Sequence, residues 1–330
     1  MNIAINGFGR IGRAAFKIAL EKGLNVVAIN DLTDNPTLAH LLKFDTVYGI
    51  YDKKIEADEK SIKVDGMEYP CFAEKDPAKL PWKDLNVDVV LECTGVFTDG
   101  EKCKAHLTAG AKKVIISAPA KDETTKTYII GVNEKEYQGE EIISNASCTT
   151  NCIAPVAKIM EDKFGIQKAL MTTIHAYTAD QNLVDGPHKD LRRARSAAAN
   201  IIPTTTGAAI STTKTIPTLA GKFDGLSIRV PVTCGSLADF TFLLKKKTTK
   251  EEINQTFMDL KSDPILSKIM FLYDDPIVSS DIVNNHYSAI IDLQLTQVVD
   301  GDLVKVVAWY DNEMGYSYRL VEMAELVSSK

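Results

Sequence analysis

The chain is expected to fold as an α/β protein of two domains, a doubly wound parallel sheet followed by an α+β domain with a mostly antiparallel sheet. Three observations carry this expectation. Gly7-Phe8-Gly9-Arg10-Ile11-Gly12 stands between a strand pattern and an amphipathic helix pattern; strands and helices then alternate as far as Ser144; and beyond Phe164 long strand patterns follow with few helices between them. Alternation of the first kind builds parallel sheets covered on both faces, whereas runs of strands pair antiparallel with helices to one side.

Asn2 to Asn6 alternates apolar and polar residues into Gly7, and Ile11, Ala15, Ile18 and Ala19 share one helical face before a second strand, Val26 to Asn30, that ends at Asp31. Strand, glycine turn, helix and terminal acid make the dinucleotide fingerprint of a Rossmann βαβ unit. Gly7, Gly9 and Gly12 let the backbone approach a pyrophosphate, which meets free amides and the positive dipole end of a helix opening at Arg10 and Ile11. Asp31 is placed to accept the adenosine ribose hydroxyls. A 2′-phosphate there would face this carboxylate at about 1 kcal/mol per unit charge in water at about 4 Å, and about 4 kcal/mol at an effective dielectric of 20. No arginine adjoins Asp31 in sequence, so NAD is preferred over NADP. A bare GxGxxG also marks any tight turn, and Asp31 also reads as a solvated strand end.

Further along, a hairpin covers Ile62 to Tyr69, strands cover Val87 to Leu91, Val114 to Ser117 and Tyr128 to Ile130, and a helix starts near Thr98. Thr94, Gly95 and Ser117 fall at carboxyl ends of these strands, where such sheets hold ligands, although they are equally ordinary turn formers. The stretch Ser144 to Cys152 leads from a strand, Glu141 to Asn145, into the helical spacing of Ile153, Val156, Ala157, Met160 and Phe164. The second domain is expected to begin near Cys148. Its strands read as Lys168 to Tyr177, Ser227 to Val232, Ala238 to Leu244, Ser288 to Gln297 and Leu303 to Tyr310, with helices over Lys250 to Leu260 and Asn312 to Val327. Residues 178–200, carrying His188, Lys189, Arg192, Arg193 and Arg195, are either a functional segment or a solvated basic loop.

With 330 residues, 45% hydrophobic and 25% charged, the chain can bury two sizeable cores. A net charge of -6 gives no basic stripe for nucleic acid or an anionic membrane, so no dedicated partner of either kind is expected. It does not argue against a phosphate site, which needs only local arginines and amides. Six irregularly spaced cysteines without metal-type pairs read as reduced thiols with no metal. No basic-then-apolar leader and no run of membrane-spanning length is seen, and the address is expected to be cytoplasmic.

Cys148 lies in the first turn of its helix, where free amides and the dipole favour a thiolate. It reads as a mounted nucleophile or as a cysteine buried at a strand-to-helix turn. Lowering a thiol by three units from about 8.5 takes about 4 kcal/mol, and a helix end supplies at most about 2 of these, so activation needs a further partner. Of the five histidines only His175 ends the strand that follows this helix. It is either that partner or a core histidine satisfied by backbone.

Taken together, Ile5 to Arg13, Ile29 to Leu32, Ser117 to Ala120, Ser144 to Cys152, Pro203 to Ala209 and Trp309 to Glu313 resemble the phosphorylating glyceraldehyde-3-phosphate dehydrogenases, in order and along the whole chain. The resemblance implies an NAD-binding domain over 1–147, rejoined by the C-terminal helix at 313–330, and a catalytic domain over 148–312. It implies glycolytic oxidation of glyceraldehyde 3-phosphate, with inorganic phosphate, to 1,3-bisphosphoglycerate. Cys148 would form a hemithioacetal and then a thioester, with His175 as its base. Thr178, Asp180 and Arg229 resemble the site for the substrate phosphate, and Ser147, Thr149, Arg195, Thr206 and Gly207 that for inorganic phosphate. Lys75, Thr94, Gly95 and Ser117 join the glycine turn in holding NAD, and Asn312 resembles the residue that holds the nicotinamide amide. The basic loop would pack on a neighbouring subunit's cofactor site in a homotetramer.

Departures from the family's usual pattern fall at Val47 to Tyr51, at Ile210, where a lysine is common, and at Cys234 to Asp239. They touch packing and subunit contacts, not the residues assigned to chemistry. An erythrose-4-phosphate dehydrogenase is the rival enzyme reading, and a dinucleotide-binding regulatory or surface-binding protein on the same fold the non-enzyme one.

Overall fold

The computed structural model describes residues 1–329 and divides into two compact units. One comprises Met1–Tyr128, Lys135–Ala146 and the chain from Ser317; the other comprises Ile129–Glu134 and Ser147–Tyr316.

In the first unit β1 (Asn2–Asn6), α1 (Arg10–Glu21) and β2 (Asn25–Asn30) form the βαβ unit. Then come α2 (Asn35–Lys43), capped by the Asp34 carboxylate on the Thr37 N–H, and a short ribbon of β3 (Phe44–Asp45) and β4 (Gly49–Ile50). β5 (Ile55–Ala57), β6 (Ser61–Val64) and β7 (Met67–Phe72) make a meander, followed by β8 (Val89–Glu92), α3 (Gly100–Thr108), β9 (Lys113–Ile116) and β10 (Ile142–Ser144). The sheet order is β10-β9-β8-β1-β2-β7-β6-β5. It is parallel from β10 to β7 and antiparallel at β6 and β5. Ile3, Ala4 and Ile5 of β1 and Val89, Val90 and Leu91 of β8 are all fully buried, as parallel strands covered on both faces require. Because β1 has β2 on one side and β8 on the other, the strand order reverses there. A crevice opens outside the carboxyl ends at such a point.

The strand expected at Tyr128 to Ile130 reduces to one bridge, between Thr127 and Ser144. Ile129–Glu134 turns into the second unit instead. There Gly131, at φ +82°, lies so close to Ile269 that a Cβ would collide with it.

The second unit opens with α4 (Cys148–Phe164) and β11 (Ile166–Ala176), then β12 (Ile202–Thr205), α5 (Ala208–Thr215), β13 (Phe223–Val230) and β14 (Ser236–Leu244). It continues through α6 (Lys250–Asp259), α7 (Leu266–Ile269), β15 (Met270–Tyr273), β16 (Ala289–Asp292), β17 (Gln297–Val299), β18 (Leu303–Tyr310) and α8 (Met314–Ser328), which runs on into the first unit. The order is β12-β13-β11-β14-β18-β16-β15, with β17 on β18. Pairing is antiparallel except for β11 with β13 and β15 with β16. The first parallel pair exists because the chain between β11 and β13 is long enough for a crossover. The single strand expected over Ser288 to Gln297 splits into β16 and β17. Both pair with β18 but at different heights, so the chain must step along it. Cys152, Val156 and Met160 of α4 are buried with Met171, Phe240, Phe242 and Val306 from the sheet. Each large side chain so buried contributes about 1.5–3 kcal/mol, which anchors the helix that carries Cys148.

Among the described residues no helix is long and apolar enough to cross a membrane, and no cluster of His, Cys, Asp or Glu could hold a metal ion.

Candidate functional site

In the first unit the glycine turn is shaped by close contacts. Gly7 adopts φ +93°, and a Cβ there would stand 2.6 Å from Thr94 N, so only glycine fits against the turn after β8. A Cβ on Gly12 would collide with Gly7 O, so glycine lets α1 close on the turn. Gly9 differs, with nothing within 4 Å of its Cβ position. As N-cap of α1 it makes no side-chain hydrogen bond to the first amides, and the positive end of the helix dipole there favours an anion. Asp31 Oδ2 accepts the Phe8 N–H at 2.7 Å and Oδ1 the Thr33 N–H at 2.9 Å. This fixes the carboxylate beside the turn with lone pairs to spare for hydroxyls. The Arg10 guanidinium is held by Asp45 at 2.6 Å and stands over the Tyr48 ring. The guanidinium is thus committed within the protein, and the departure at Tyr48 packs under it. Thr94 and Gly95 follow β8, Ser117 follows β9, and Lys75 is exposed beyond β7. An open glycine cradle, a helix start and an acid held beside the turn fit a dinucleotide.

In the second unit Ser147 caps α4, its Oγ accepting the Thr150 N–H at 3.1 Å. Cys148 is the first helical residue. His175 comes from β11, whose inward face carries Ala169, Met171, Thr173 and His175 in alternation. Its Nε2 lies 3.4 Å from Cys148 Sγ, and its Nδ1 lies 2.6 Å from Ala176 O. A carbonyl only accepts, so Nδ1 carries the ring proton and Nε2 presents a lone pair to the thiol.

Burial, then the charge of Arg229, hold His175 down to about 3, against its bond to Ala176. Burial likewise lifts the Cys148 thiol above its ordinary value, against the pull of Arg229 and Thr149. The pair rests as thiol and neutral imidazole. The imidazole therefore stands beside the thiol as a neutral group and not as a fixed cation, because burial outweighs the helix end.

Around the pair, Tyr310 OH bridges Thr149 Oγ1 at 2.9 Å and Thr173 Oγ1 at 2.8 Å. Burial keeps it a phenol, well above its ordinary pKa. Arg229 is the register partner of His175 on β13. Its Nη1 donates to Ala176 O and Thr178 Oγ1, each at 3.2 Å, while its buried Nε has no partner. Asp180 binds Arg193. Arg193 Nε also donates to Thr204 Oγ1 at 2.9 Å and Nη2 to Thr205 O at 3.1 Å, and its charge reaches both His175 and Arg229. Thr206 and Gly207 stand at the start of α5, which packs on α4.

Arg195 is not brought to this group. Its side chain is 62% exposed and paired with Asp185 at 2.8 Å, so the arginine of the loop that reaches the site is Arg193. Tyr310 lies within the Trp309 to Glu313 motif, but nothing in the sequence signals its bridge between Thr149 and Thr173. Asn312 Oδ1 accepts from the Gly235 N–H at 3.2 Å and the Ser236 hydroxyl at 2.9 Å, which fixes the orientation of its amide. Cys234, one of the departures, is buried with its thiol on Asp311 Oδ1 at 3.1 Å.

Family models match both halves of the chain: glyceraldehyde 3-phosphate dehydrogenase, NAD binding domain, over residues 1–100, and the C-terminal domain of the same family over 147–312. Proteins named glyceraldehyde-3-phosphate dehydrogenase align over nearly their full length. The one from Borreliella burgdorferi is 53% identical, covering 98% of this chain and 99% of its own. That from Clostridium acetobutylicum is 55% identical over 97% and 96%, and that from Streptomyces coelicolor 50% identical over 100% and 99%.

Proposed function

The chain belongs to the glyceraldehyde-3-phosphate dehydrogenase family, and on that premise we propose that Cys148 and His175 carry the phosphorylating oxidation of glyceraldehyde 3-phosphate to 1,3-bisphosphoglycerate, with NAD as cofactor. The observation that carries the assignment is the 3.4 Å approach of Cys148 Sγ to His175 Nε2, with Nδ1 committed to Ala176 O.

His175 Nε2 takes the thiol proton as sulfur attacks the aldehyde carbon, giving a hemithioacetal whose oxyanion meets the Cys148 amide at the start of α4. Arg229, with its unpartnered Nε, Thr178 and Arg193 hold the substrate phosphate. A bound phosphate dianion offsets the Arg229 charge that depresses His175, so the histidine becomes a better base once substrate is in place. His175 returns the thiol proton to the oxyanion, giving the hemithioacetal hydroxyl, and takes it back as hydride leaves the same carbon. NAD supplies the hydride acceptor for this step. Cys148 is left as a thioester, and inorganic phosphate, held by Ser147, Thr149, Thr206 and Gly207, attacks it and releases sulfur. Asn312 and the crevice residues Gly7, Gly9, Arg10, Ile11, Gly12, Asp31, Lys75, Thr94, Gly95 and Ser117 hold the cofactor. The two units serve as NAD-binding and catalytic domains of a glycolytic, cytoplasmic enzyme. A steady-state assay with the triose phosphate, phosphate and each cofactor tests the reading. Faster NAD reduction with erythrose 4-phosphate, insensitive to phosphate or arsenate, would overturn it.

Two substitutions probe the ligand assignments. Arg193→Leu removes a charge-assisted clamp of about 1.5–3 kcal/mol, so kcat/KM for the triose phosphate should fall roughly 10- to 100-fold. Arg195→Leu breaks an exposed ion pair of about 0–1 kcal/mol and should leave it within a few-fold. The reverse order would remove Arg193 from the substrate phosphate, and a rise of about tenfold or more in KM for inorganic phosphate in Arg195→Leu would return Arg195 to the site its motif implied. Asp31→Ala should weaken NAD and narrow its advantage over NADP by about tenfold or more, measured as the ratio of kcat/KM for the two. An unmutated protein using both cofactors equally would refute the role of Asp31.

A homotetramer is the assembly we expect. Leu170, 65% exposed, and Ile210, 62% exposed, border with Leu243 and Leu303 an open groove of about 730 Å³ on the second unit. Leu183, Val184, Leu191 and Ile201 are likewise exposed along the basic loop and its end. Apolar surface of this extent suits contacts between copies of the chain, and sedimentation should return the mass of four chains.

A further inference from the structure

One buried side chain of the first unit has no part in the chemistry above. Glu92, the last residue of β8, is 1% exposed. Its Oε2 lies 2.5 Å from Asn6 Nδ2 and 3.1 Å from His106 Nε2; its Oε1 accepts the Thr94 N–H at 2.9 Å and the Thr94 hydroxyl. The direction of each bond is fixed. The indole of Trp82 only donates, and its Nε1 lies 3.0 Å from His106 Nδ1, so the neutral ring carries its proton on Nε2, toward Glu92. The Thr94 hydroxyl accepts the Val96 N–H at 3.0 Å, so its own proton is free for Glu92. Every partner of the carboxylate is thus a donor. None is a cation, since His106 accepts from Trp82. A carboxyl group buried in this way is tolerated only because its hydrogen bonds are complete.

The network continues across the sheet. Asn30 Nδ2 donates to Asn6 Oδ1 at 2.7 Å and to Glu74 O at 2.9 Å, and Asn30 Oδ1 accepts the Glu74 N–H at 2.9 Å. The residues it joins share a position in the chain. Asn6 precedes Gly7, Asn30 precedes Asp31, Glu74 precedes Lys75, and Thr94 precedes Gly95. Each segment end that presents one of these cofactor residues is tied, directly or through one or two asparagines, to the same carboxylate.

We propose that Glu92 is a positioning residue for the dinucleotide: acting through Asn6, Asn30 and Thr94, it holds the ends of β1, β2 and β8 and the turn after β7 in one frame that fits the cofactor before it binds. The inference rests on the crevice being the NAD site. Preorganisation of this kind appears in affinity, because strand ends left free must be ordered when the ligand arrives.

Glu92→Gln keeps the shape but replaces one oxygen by an NH2 group. That group must face either Asn6 and His106 or the two donors of Thr94, so donor meets donor in both orientations. The dissociation constant for NAD, followed by fluorescence titration, should rise about tenfold or more, and KM for NAD with it. KM for the triose phosphate and for phosphate, and the rate of Cys148 alkylation by iodoacetamide without NAD, should not move. The carboxylate and carboxamide can then be exchanged by combining Asn6→Asp with Glu92→Gln. The amide at position 92 then donates to the acid at position 6. His106 Nε2, already 3.5 Å from Asn6 Nδ2, also gains an acceptor there, and NAD affinity should return to within about threefold of the original. A merely structural role predicts loss of alkylation reactivity and of all KM values together, with no recovery in the exchange.

Trp82→Phe provides a variant that leaves every assigned cofactor residue intact. It removes the donor that fixes the His106 tautomer and should weaken NAD about threefold. Unchanged NAD affinity in Glu92→Gln overturns the proposal, as does unchanged affinity in Trp82→Phe if Glu92→Gln does not fold. Failure of the site assignment itself would look different, since the unmutated protein would then not bind NAD.

Discussion

Cys148→Ala is expected to abolish turnover while leaving NAD binding intact, with kcat falling on the order of 10⁴-fold or more. The size follows from the route. Without the thiol no thioester can form, and oxidation would have to proceed through a hydrated aldehyde that no residue of the site is arranged to attack. Binding should survive because the assigned crevice belongs to the other compact unit. Stability should change little, within about 1 kcal/mol, since only one half-buried sulfur is lost. Cys152→Ala is the matched control. Cys152 is buried one turn along the same helix, its thiol pushed well above the ordinary value by burial and by the neighbouring Cys148, so its loss should leave turnover largely intact. Pre-steady-state measurement of NADH formation alongside an NAD titration separates the two properties. Residual turnover within about tenfold of the unmutated protein would remove Cys148 from the role of nucleophile.

The parts of this site differ in how far the sequence discloses them, and the difference follows the range of the interactions involved. The βαβ unit is legible because its determinants are local: the strand period, the helix period and the glycines between them occupy the chain from Asn2 to Asp31. The helix start at Cys148 is legible for the same reason, since Ser147 is a capping residue followed by helical spacing. His175 is half legible. Its strand can be read, but its tautomer depends on the Ala176 carbonyl and its protonation on burial and on Arg229, which becomes its neighbour only through the parallel pairing of β11 with β13. Arg193 and Arg195 stand two residues apart in an irregular loop. No period distinguishes them, and only the tertiary contacts with Asp180 and Thr204 pick out Arg193. Tyr310 and Glu92 are least legible, because the bonds from Tyr310 to Thr149 and from Glu92 to Asn6 join residues far apart in the chain.

His175→Asn is expected to lower kcat on the order of 10²- to 10⁴-fold, the usual contribution of a positioned base, and it also separates activation from mere packing. In the variant no group takes the thiol proton at Nε2. Alkylation of Cys148 by iodoacetamide at pH 7 should slow by about tenfold. Its rate should climb with pH, because burial holds the thiol above its ordinary value.

Stability gives an independent check. His175 sits at about 3 in the folded protein against 6.5 in an unperturbed chain. Below pH 6.5 the unfolded chain takes up a proton that the folded site refuses, so stability present above 6.5 is lost as pH falls and continues to be lost down to about 3. At pH 5 this one group removes about 2 kcal/mol. Asparagine does not titrate, so the advantage of the unmutated protein over His175→Asn in urea unfolding should shrink by about 2 kcal/mol between pH 7 and pH 5. A gap that widened toward low pH would mean that His175 holds its proton more tightly in the folded state than in the unfolded chain. The resting site would then be an ion pair, and the thiol would be activated before substrate arrives.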